Sequence, residues 1–475
     1  MSQSLTHTKR DTPSPFFQLR PPVGTVWPAV PIPEMSQVWA AYQELDRTQW
    51  LSPEELELGQ LQQVRLLVQH CAEHVPYYRR VLSEAGVLSR PLESLSDFRQ
   101  LPFLTRELYQ RHAAELHATQ LPAGMKEVSS DYTSGTSGVP IMVRKTNRDG
   151  LWWNAFYLRD LEWSGIDPRR RLAAIRLLAK SPEQLQRLLL GSSSKVWGQL
   201  GQYLIENGPA FGMDIRQDPR LQLEWIERIQ PNYLLSMPSN LDFLAGLLRE
   251  SGRRIPELKA IQAIGESLPL DVRQRIETAF GVPVKNLYST TEAGYMASPC
   301  PLGDGLHVHA ENVLTEVLDA NDRPCQPGQT GRLVITSLTN FVNPFLRYEM
   351  LDEVTLGLGS CPCGRGLPLW QHVEGRRHPL FFLPDGRRHS SMGVNIGVRK
   401  IGGCHQFQII QREVDHIIVR IVPDKTWTPD HAEQIRSVIH REFESPVRVD
   451  VETHNFLERP AGGKLKLVVV ELEKR

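Results

Sequence analysis

In the region 170–350, short apolar segments of strand length alternate with segments of helical periodicity. The strand-like segments are 171–178, 231–237, 258–264 and 283–287, and the helix-like segments are 181–190, 240–248 and 271–280. Strands that alternate with helices form largely parallel sheets covered by helices. Because such sheets bind ligands at their strand ends, we expect the functional site in the loops that follow these strands.

The pattern is different at the two ends of the chain. Residues 1–35 are rich in Pro, Ser and Thr and are predicted to form a flexible arm, whereas residues 53–84 have helical periodicity. After about residue 373, strand-like segments surround a predicted helix at 429–443. We therefore predict the arm at 1–35, a large N-terminal α/β domain of parallel or mixed sheets covered by helices at 36–374, and a small α+β C-terminal domain at 375–475.

Length, composition and charge exclude several classes of protein. The 475 residues exceed what one compact core usually holds, and 40% hydrophobic with 23% charged residues is ordinary for a globular chain. The 54 Lys and Arg residues balance 54 Asp and Glu residues, so we expect neither a nucleic-acid nor a membrane partner. With no export signal, no apolar run of about 20 residues and six scattered cysteines, we expect a reducing cytoplasm.

The segment DYTSGTSGVP, residues 131–140, combines two glycines with four Ser and Thr hydroxyl groups. Glycine lets the backbone approach a ligand closely, and hydroxyl groups and exposed N–H groups suit phosphate oxygens. No Gly-Lys-Ser/Thr follows, so this is not a Walker A loop. Taken alone, the segment fits a phosphate-binding loop and a polar surface turn equally well.

Five further segments follow this loop in a recognisable order. The loop resembles the phosphate-binding loop of the adenylate-forming superfamily of acyl-coenzyme A synthetases and adenylation domains. The later segments resemble the adenine-side segment, the Tyr-Gly-x-Thr-Glu motif, the Tyr-Arg-Thr-Gly-Asp motif, the inter-domain hinge and the C-terminal Gly-Lys motif of that superfamily. They are, in turn, IGESLP at 264–269, YSTTEAG at 288–294, RYEMLDEV at 347–354, VEGRRHP at 373–379 and RPAGGKLK at 459–466.

Within the superfamily, the chain most resembles the phenylacetate–coenzyme A ligase branch, including its capsule-biosynthesis relatives. The local signals are LTNFVNPFLRYEMLDEV at 338–354 and the Cys-x-Cys-Gly-Arg run at 361–365. The resemblance implies that an aromatic or other apolar acid attacks the α-phosphorus of ATP, that acyl-AMP forms, and that the acyl group passes to coenzyme A. It also implies Mg²⁺, a mobile C-terminal domain and a homodimer.

The resemblance implies catalytic roles for three residues. Lys464 bridges the attacking carboxylate and the α-phosphate, which lowers the repulsion between two anions. Thr291 reaches the α-phosphate, and Glu292 binds Mg²⁺, a hard cation that prefers carboxylate oxygen.

Other residues are implied to hold the nucleotide. Asp352 accepts hydrogen bonds from the ribose hydroxyls, Tyr288 stacks on adenine, and Arg347 joins the phosphate or ribose contacts. The full implied ATP-binding set is Thr133, Ser134, Gly135, Thr136, Ser137, Gly138, Gly265, Glu266, Ser267, Tyr288, Ser289, Thr290, Arg347 and Asp352.

Three positions depart from the superfamily pattern. Val139 stands where the loop often has a lysine, so one cationic phosphate contact is missing. His378 and Pro379 stand where the branch usually has acidic hinge residues, and Pro379 fixes its own φ. The rotation of the C-terminal domain, and with it transfer to coenzyme A, is therefore less secure than acyl-AMP formation.

A second set of residues has the chemistry of a metal site. Cys300, His307, Cys361 and Cys363 offer three thiolates and an imidazole, which suit tetrahedral zinc, and His309 is a rival ligand. Some members of the branch carry a structural zinc at matching positions. Reduced, partly buried thiols are the alternative.

Two other functions fit the same motifs. The first keeps acyl-AMP formation but transfers the acyl group to an amine or to a carrier-protein thiol, and the altered hinge and the N-terminal arm favour it slightly. The second is a non-catalytic nucleotide-binding relative. Retention of Glu292, Asp352 and Lys464 argues against the second, because a protein without the activity has no chemical need for them.

Overall fold

The computed structural model describes residues 17–25, 27–87, 92–133, 140–376, 379–460 and 462–472. The helices are Pro33–Thr48 (α1), Pro53–His74 (α2), Pro76–Glu84 (α3), Leu95–Phe98 (α4), Arg106–Arg111 (α5), Asn147–Trp163 (α6), Pro182–Arg187 (α7), Gly198–Tyr203 (α8), Pro219–Ile229 (α9), Pro238–Ser251 (α10), Leu270–Phe280 (α11), Ser391–Ile401 (α12) and Pro429–Phe443 (α13).

The strands are Glu127–Tyr132 (β1), Met142–Thr146 (β2), Leu172–Arg176 (β3), Ser192–Ser194 (β4), Ala210–Asp214 (β5), Tyr233–Ser236 (β6), Ala260–Ala263 (β7), Val284–Asn286 (β8), Tyr288–Thr290 (β9), Gly294–Pro299 (β10), Leu306–Val308 (β11), Val313–Leu318 (β12), Thr330–Ser337 (β13), Tyr348–Leu356 (β14), Leu369–Arg376 (β15), Leu380–Phe382 (β16), Arg388–Ser390 (β17), Cys404–Glu413 (β18), His416–Pro423 (β19), Arg448–Thr453 (β20) and Val468–Val470 (β21).

Three sheets of four or more strands organise the described part of the chain. A six-stranded sheet has the order β4-β5-β3-β6-β7-β8 and is parallel except at β4. A seven-stranded sheet has the order β12-β13-β14-β15-β11-β10-β9, with every pair antiparallel. A four-stranded sheet, β20-β19-β18-β21, forms the C-terminal part with α12 and α13. The predicted fold class is confirmed, but the largely parallel pairing expected up to residue 350 ends at β8.

Sequence signals set the ends of the helices. A capping box between Ser52 and Glu55 begins α2, and Pro53 occupies its first turn. The periodicity predicted over 53–84 is divided at Val75, because Pro76 cannot donate the backbone hydrogen bond that a continuous helix needs. Helix α10 ends at Gly252, whose φ of 65° is the left-handed conformation that glycine adopts readily.

Part of the predicted N-terminal arm packs against the body of the protein. The Phe17 side chain is buried, and its ring lies 5.5 Å from that of Tyr42 on α1. The Arg20 N–H donates to the Leu204 carbonyl (2.9 Å), and the Glu206 N–H donates to the Gln18 carbonyl (2.8 Å). The prediction of a flexible arm is therefore wrong for residues 17–20, whereas residues 1–16 lie outside the described part of the chain.

The C-terminal unit, residues 379–472, is docked against the six-stranded sheet and its helices. The His405 ring stacks on Phe243 of α10 at 5.1 Å, and its Nε2 lies 3.2 Å from Glu250. Arg399 of α12 forms an ion pair with Asp271 of α11 at 3.3 Å. Three apolar residues of this unit, Val422, Leu457 and Leu465, belong to the same buried cluster as α9, α10 and α11. None of the helices in the described ranges has the length and apolarity that a bilayer crossing requires.

Candidate active site

The carboxyl ends of β6, β7 and β8 meet at one edge of the six-stranded sheet. Their parallel register brings together the segments that follow them, which include Met237, Gly265 and Tyr288. Gly265 has a φ of 80°, a conformation that residues with a Cβ atom rarely adopt. The segments predicted to contact adenine therefore lie at the edge where parallel sheets bind ligands.

Lys464 of the C-terminal unit reaches this edge. A Cβ atom built on Gly265 would lie 3.9 Å from Lys464 Cε, so the lysine chain passes over the glycine at van der Waals distance. The preceding Gly463 has a φ of 74°, and a Cβ atom there would lie 3.3 Å from Ile215 and 3.6 Å from Leu177. The loop that carries the lysine is thus closed onto the sheet edge.

Arg459 fixes the loop that carries Lys464. Its guanidinium donates to the Gly463 carbonyl (3.0 Å) and to the Ser239 hydroxyl (3.0 Å), and lies 3.7 Å from Glu266 Oε1. Burial lowers the pKa of Arg459, whereas the Glu266 charge raises it. Because Ser239 belongs to α10 and Glu266 follows β7, one buried arginine joins the C-terminal loop to two elements of the sheet edge.

Glu266 and Ser267 have different surroundings. The Glu266 carboxylate accepts a hydrogen bond from the Ser239 backbone N–H at 2.9 Å, and so turns toward α10 and Arg459. Ser267 lies against β15, where a Cβ atom on Gly375 would come within 2.7 Å of Ser267 Cβ. Only glycine fits at 375, which also has a φ of 84°.

Asp352 lies beside this contact. It is buried on β14 and pairs in register with residue 376 of β15, one position from the pair of Glu353 with Gly375. The register therefore places Asp352 one position along the ladder from the contact of Gly375 with Ser267. Residues 377 and 378 of the predicted hinge, immediately after β15, lie outside the described part of the chain.

Thr291 and Glu292 occupy the tight turn between β9 and β10. The Ala293 N–H donates to the Thr290 hydroxyl at 3.1 Å, which closes the turn, and the Glu292 side chain is buried. Lys145 of β2 donates from Nζ to the Thr291 carbonyl at 2.5 Å. Lys145, on the strand that follows the predicted phosphate loop, thus contacts the turn that carries the predicted catalytic residues Thr291 and Glu292.

Tyr109 of α5 lies close enough to Glu292 for the Glu292 charge to affect the pKa of the phenol. Burial raises the pKa of Tyr109 to about 12, and the Glu292 charge adds to this. The Tyr109 hydroxyl donates to Asn343 Oδ1 at 2.8 Å. Because its pKa is raised, the phenol is neutral at physiological pH.

Tyr288 and Ser289 lie on β9, at the edge of the seven-stranded sheet. The Tyr288 ring lies 5.8 Å from that of Trp370, edge to face, and is only partly buried. Ser289 pairs in register with Tyr295. The Tyr288 ring is thus partly exposed, and it lies directly after the carboxyl end of β8.

The hairpin of β1 and β2 carries the predicted phosphate loop. The Thr133 N–H donates to the Ile141 carbonyl (3.0 Å), and the Ile141 N–H donates to the Thr133 hydroxyl (3.1 Å), so the two ends of the loop are fixed. The remaining predicted loop residues, Ser134, Gly135, Thr136, Ser137 and Gly138, lie outside the described residues, as does Val139.

Arg347 does not have the predicted nucleotide role. Its guanidinium forms two hydrogen bonds with the buried Glu316 carboxylate, at 2.9 and 2.8 Å, and donates to the carbonyls of Arg99 and Leu101. It also lies 4.3 Å from the centre of the Phe103 ring. These contacts engage all three guanidinium nitrogens, so Arg347 holds the protein core together and does not belong to the ATP-binding residues.

The predicted metal ligands lie together at the far end of β10 and β11. The ligand atoms of Cys300, His307, Cys361 and Cys363 are all within 4.8 Å of one another. Cys300 Sγ lies 3.4 Å from Cys361 Sγ, and His307 Nε2 lies 3.2 Å from Cys363 Sγ. His307 Nδ1 donates to the Leu367 carbonyl at 3.2 Å, so the lone pair of Nε2 faces the thiols.

His309, the rival ligand, has both ring nitrogens engaged elsewhere. Nδ1 accepts from the Arg159 guanidinium at 3.2 Å, and Nε2 lies 3.0 Å from the Ser298 hydroxyl. His309 is therefore part of a buried polar network under α6, and His307 is the histidine of the cysteine cluster.

Comparison with known protein families matches two regions of the chain. A model described as AMP-binding enzyme matches residues 203–341, and one described as CapK C-terminal domain matches residues 384–471. The phenylacetate-coenzyme A ligase of Thermus thermophilus is 28% identical over 341 residues, which are 70% of this chain and 73% of that protein. The Escherichia coli protein of the same name is 25% identical over 357 residues, covering 72% and 75%. The chain belongs to the adenylate-forming superfamily. It is an ATP-dependent, AMP-forming ligase.

Solved structures show the same fold for this adenylate-forming enzyme. The chain matches 2-hydroxyisobutyryl-CoA ligase in the postadenylation state with a TM-score of 0.68 and 21% identity, over 90% of this chain and 91% of the other. The same ligase in the thioesterification state gives a TM-score of 0.58 at 22% identity, over the same fractions.

Two residues near the site of this adenylate-forming enzyme were missed by sequence reasoning. Lys145 belongs to the short strand that follows the loop, where a lysine is ordinary. Arg459 begins the RPAGGKLK segment and could have been singled out by its place five residues before Lys464. Neither contact is local, because Lys145 meets residue 291 and Arg459 meets residue 239.

Proposed function

We propose that this enzyme activates a carboxylic acid as acyl-AMP and transfers the acyl group to coenzyme A. The observation that carries the proposal is the position of Lys464 over Gly265, with the C-terminal unit docked at the carboxyl edge of the six-stranded sheet. A cation at that edge, above the adenine-side segment, is placed to meet two anionic reactants.

In the first step, a carboxylate oxygen bonds to the α-phosphorus of ATP and the bond to pyrophosphate breaks. The Lys464 ammonium lowers the repulsion between the carboxylate and the phosphate, and Arg459 holds the loop that carries it. The turn with Thr291 and Glu292 is held by Lys145 and follows β9, which begins just after the carboxyl end of β8 at this edge. We assign the α-phosphate contact to Thr291 and Mg²⁺ binding to Glu292, which would supply neutralisation of phosphate charge.

The nucleoside is assigned to residues around the same edge. Tyr288 offers a partly exposed ring for adenine, and Gly265 leaves the edge of β7 open to a flat base. Asp352, buried on β14, is assigned to the two ribose hydroxyls, whose hydrogen bonds its two carboxylate oxygens can accept. Thr133 anchors the loop assigned to the β- and γ-phosphates.

Coenzyme A is the proposed acceptor because the curated relatives are phenylacetate-coenzyme A ligases. The neighbouring 2-hydroxyisobutyryl-CoA ligase has been solved with an acyl-AMP and coenzyme A. The higher TM-score with its postadenylation state supports a C-terminal unit placed for the first step in this chain. An aromatic acid is proposed on the same relatives and on the aromatic residues that α6 presents toward the site.

We also propose that Cys300, His307, Cys361 and Cys363 hold a structural zinc ion. A zinc tetrahedron with Zn–S distances of about 2.3 Å separates its ligand atoms by roughly 3.7 Å, and the side chains already cluster at similar spacing. Four protein ligands leave no open position, so the ion would join β10, β11 and the loop before β15 rather than take part in the reaction.

Pyrophosphate release with a panel of carboxylic acids, each with and without coenzyme A, tests the proposal. We expect acid-dependent release from ATP, and a coenzyme A thioester of the same acid when coenzyme A is present. Pyrophosphate release without a coenzyme A thioester would exclude coenzyme A as the acceptor. An acylated product on addition of an amine or a carrier protein would then identify that compound as the acceptor. Binding of ATP with no release for any acid would contradict acid activation itself.

A further inference from the structure

The polar side chains of Gln262 and Asp160 are buried between α6 and the face of the six-stranded sheet that α6 covers. Gly212, Ala174, Leu235, Gln262 and Lys285 are register partners on adjacent strands β5, β3, β6, β7 and β8. Register partners in a parallel sheet lie at one level and point to the same face. The Gln262 Nε2 donates to Asp160 of α6 at 3.2 Å, which shows that this face is the one under α6.

Space remains between α6 and this row of register partners on the sheet. Ala174 and Leu235 belong to β3 and β6, the two central strands of the sheet, yet both keep part of their surface accessible. Residues of a central strand under a closely packed helix would be fully covered. The accessible surface of Ala174 and Leu235 therefore forms an indentation on this face, which ends at the buried side chains of Gln262 and Asp160.

One face of α6 leads from the reaction edge into this indentation. Trp153 lies at its outer end, 4.6 Å from the Tyr295 ring and 3.9 Å from a Cβ atom built on Gly294, next to the turn that carries Glu292. Tyr157 and Asp160 follow on the same face at spacings of four and three residues. Seven residues of helix span roughly 10 Å, about the length of an arylalkanoic acid.

The inner end of this face has two buried acceptors. Asp160 and Gln262 are 1% and 3% exposed, and neither Asp160 Oδ1 nor Gln262 Oε1 has a hydrogen-bond partner among the described residues. The amide orientation follows from chemistry, because only Gln262 Nε2 can donate to the Asp160 carboxylate, which leaves Oε1 as the open acceptor. Buried acceptors without donors are costly, so both favour a ligand that donates.

The charges near Asp160 favour a neutral donor over a cation. Burial raises the pKa of Asp160 to about 6, while the Ser298 hydroxyl, the Lys285 charge and the Gln262 amide lower it. Lys285 already supplies a positive charge near Asp160. A second cation would be repelled by Lys285, whereas a hydroxyl group would satisfy the acceptors at no charge cost.

We propose that Asp160 and Gln262 select a carboxylic acid with a hydroxyl group at the end remote from its carboxylate, on an aromatic ring that lies along Trp153 and Tyr157. The proposal rests on the proposed function, because it identifies the acid that the same enzyme activates. It assigns Asp160 as a specificity-determining residue and replaces a plain apolar acid with a hydroxylated one.

The test compares matched acids on the unsubstituted enzyme. The pairs are phenylacetate with para-hydroxyphenylacetate, and 3-phenylpropanoate with its para-hydroxy derivative, measured as kcat/KM for pyrophosphate release. We expect the hydroxylated member of at least one pair to be preferred by about 10-fold or more. Equal values in both pairs would overturn the inference and leave acid activation standing. A greater preference for the para-aminomethyl acid, a cation, would overturn the choice of a neutral donor.

Substitution then localises the preference. Asp160→Asn keeps the shape but presents an amide donor where the substrate hydroxyl must donate, so the preference for the hydroxylated acid should fall by about 10-fold or more. Glu162→Gln is the matched control, because this α6 carboxylate accepts from Tyr42 at 2.6 Å on the side of α1 and should keep the preference. An unchanged preference in Asp160→Asn would overturn the assignment.

Failure of the proposed function can be separated from failure of the inference. If no acid gives pyrophosphate, acid activation fails, and the same pairs are compared by calorimetric binding to the full-length protein. Tighter binding of the hydroxylated member still supports the selection by Asp160 and Gln262, and equal binding overturns it. Because these comparisons use the unsubstituted chain, they decide the inference even if Asp160→Asn does not fold.

Discussion

At the scale of single residues, two charged side chains of one motif have different roles. Arg347 and Asp352 are five positions apart in RYEMLDEV, but Arg347 is enclosed by Glu316, Phe103 and two backbone carbonyls. Arg347 also has a φ of 46°, so its backbone turns the side chain into the core. The arginine joins the seven-stranded sheet to the segment before α5, whereas the aspartate is buried on β14, an inner strand of that sheet.

Replacing Arg347 with methionine should destabilise the protein rather than impair nucleotide binding. The change leaves the buried Glu316 carboxylate without its ion pair, which costs roughly 3–5 kcal/mol in the free energy of unfolding. Urea denaturation followed by tryptophan fluorescence measures this loss. Arg323→Met, which removes an exposed pair with Asp319, should cost less than about 1 kcal/mol. A stable Arg347→Met protein that no longer binds ATP would return Arg347 to the nucleotide site.

Asp214 at the end of β5 gives a pH-dependent prediction. Burial raises its pKa, but hydrogen bonds from the Arg216 side chain and from the N–H groups of Ala179, Arg216 and Leu178 outweigh burial and hold the pKa at about 2. A lowered folded-state pKa stabilises the protein above the ordinary value of 3.8, and this stabilisation is lost as pH falls toward 2.

Asp214→Asn should therefore lower the free energy of unfolding by roughly 2 kcal/mol at pH 7. The difference from the unsubstituted protein should shrink below about pH 4, and denaturation curves at pH 7, 5 and 3 measure it. A difference that stays constant over this range would show that the carboxylate is not held in its charged form.

At the scale of helices and strands, the sequence predicts what is locally regular. Strands β3, β6, β7 and β8 are isolated apolar runs between helices, and each lies within its predicted range. The seven-stranded sheet was not predicted, because its strands do not alternate with helices along the chain. β12 and β13 are buried on both faces over most of their length, and β14 has irregular register with both neighbours. Strands of this kind are defined by their partners rather than by their own pattern.

The cysteine cluster is an element-scale feature, since it joins the ends of β10 and β11 to the loop between β14 and β15. We expect the purified protein to contain about one zinc ion per chain and Cys361→Ser to lose it, because three ligands bind zinc less tightly than four. Metal analysis and thermal unfolding measure both effects. Cys325→Ser, a thiol outside the cluster, should keep the zinc. Zinc near zero in a well-folded protein would contradict the site.

At the scale of the whole molecule, the site is assembled from distant parts of the chain. The order of motifs predicted which segments meet, but the contacts that join them could not be read from the sequence. Arg459 reaches a hydroxyl at residue 239, and His405 stacks on residue 243, each across more than 160 positions. Periodicity and spacing describe local structure, whereas these contacts depend on how the two units dock.

Docking also explains why acid selection escaped sequence reasoning. Asp160 is one acidic residue within an aromatic helix, and its role depends on Gln262 in the strand that α6 covers. No spacing along the chain connects the two residues. The acid pocket is therefore a property of packing, whereas the ATP edge follows from the motifs and the parallel sheet.

The central claim is that Lys464, held over Gly265 by the docked C-terminal unit, drives acyl-AMP formation. The direct measurement is acid-dependent pyrophosphate release by Lys464→Ala, with ATP binding followed by calorimetry and Lys466→Ala as the control from the same loop. We predict a loss of about 100-fold or more in release for Lys464→Ala, ATP binding largely retained, and near-normal release for Lys466→Ala. Release by Lys464→Ala at the rate of the unsubstituted enzyme would contradict the account.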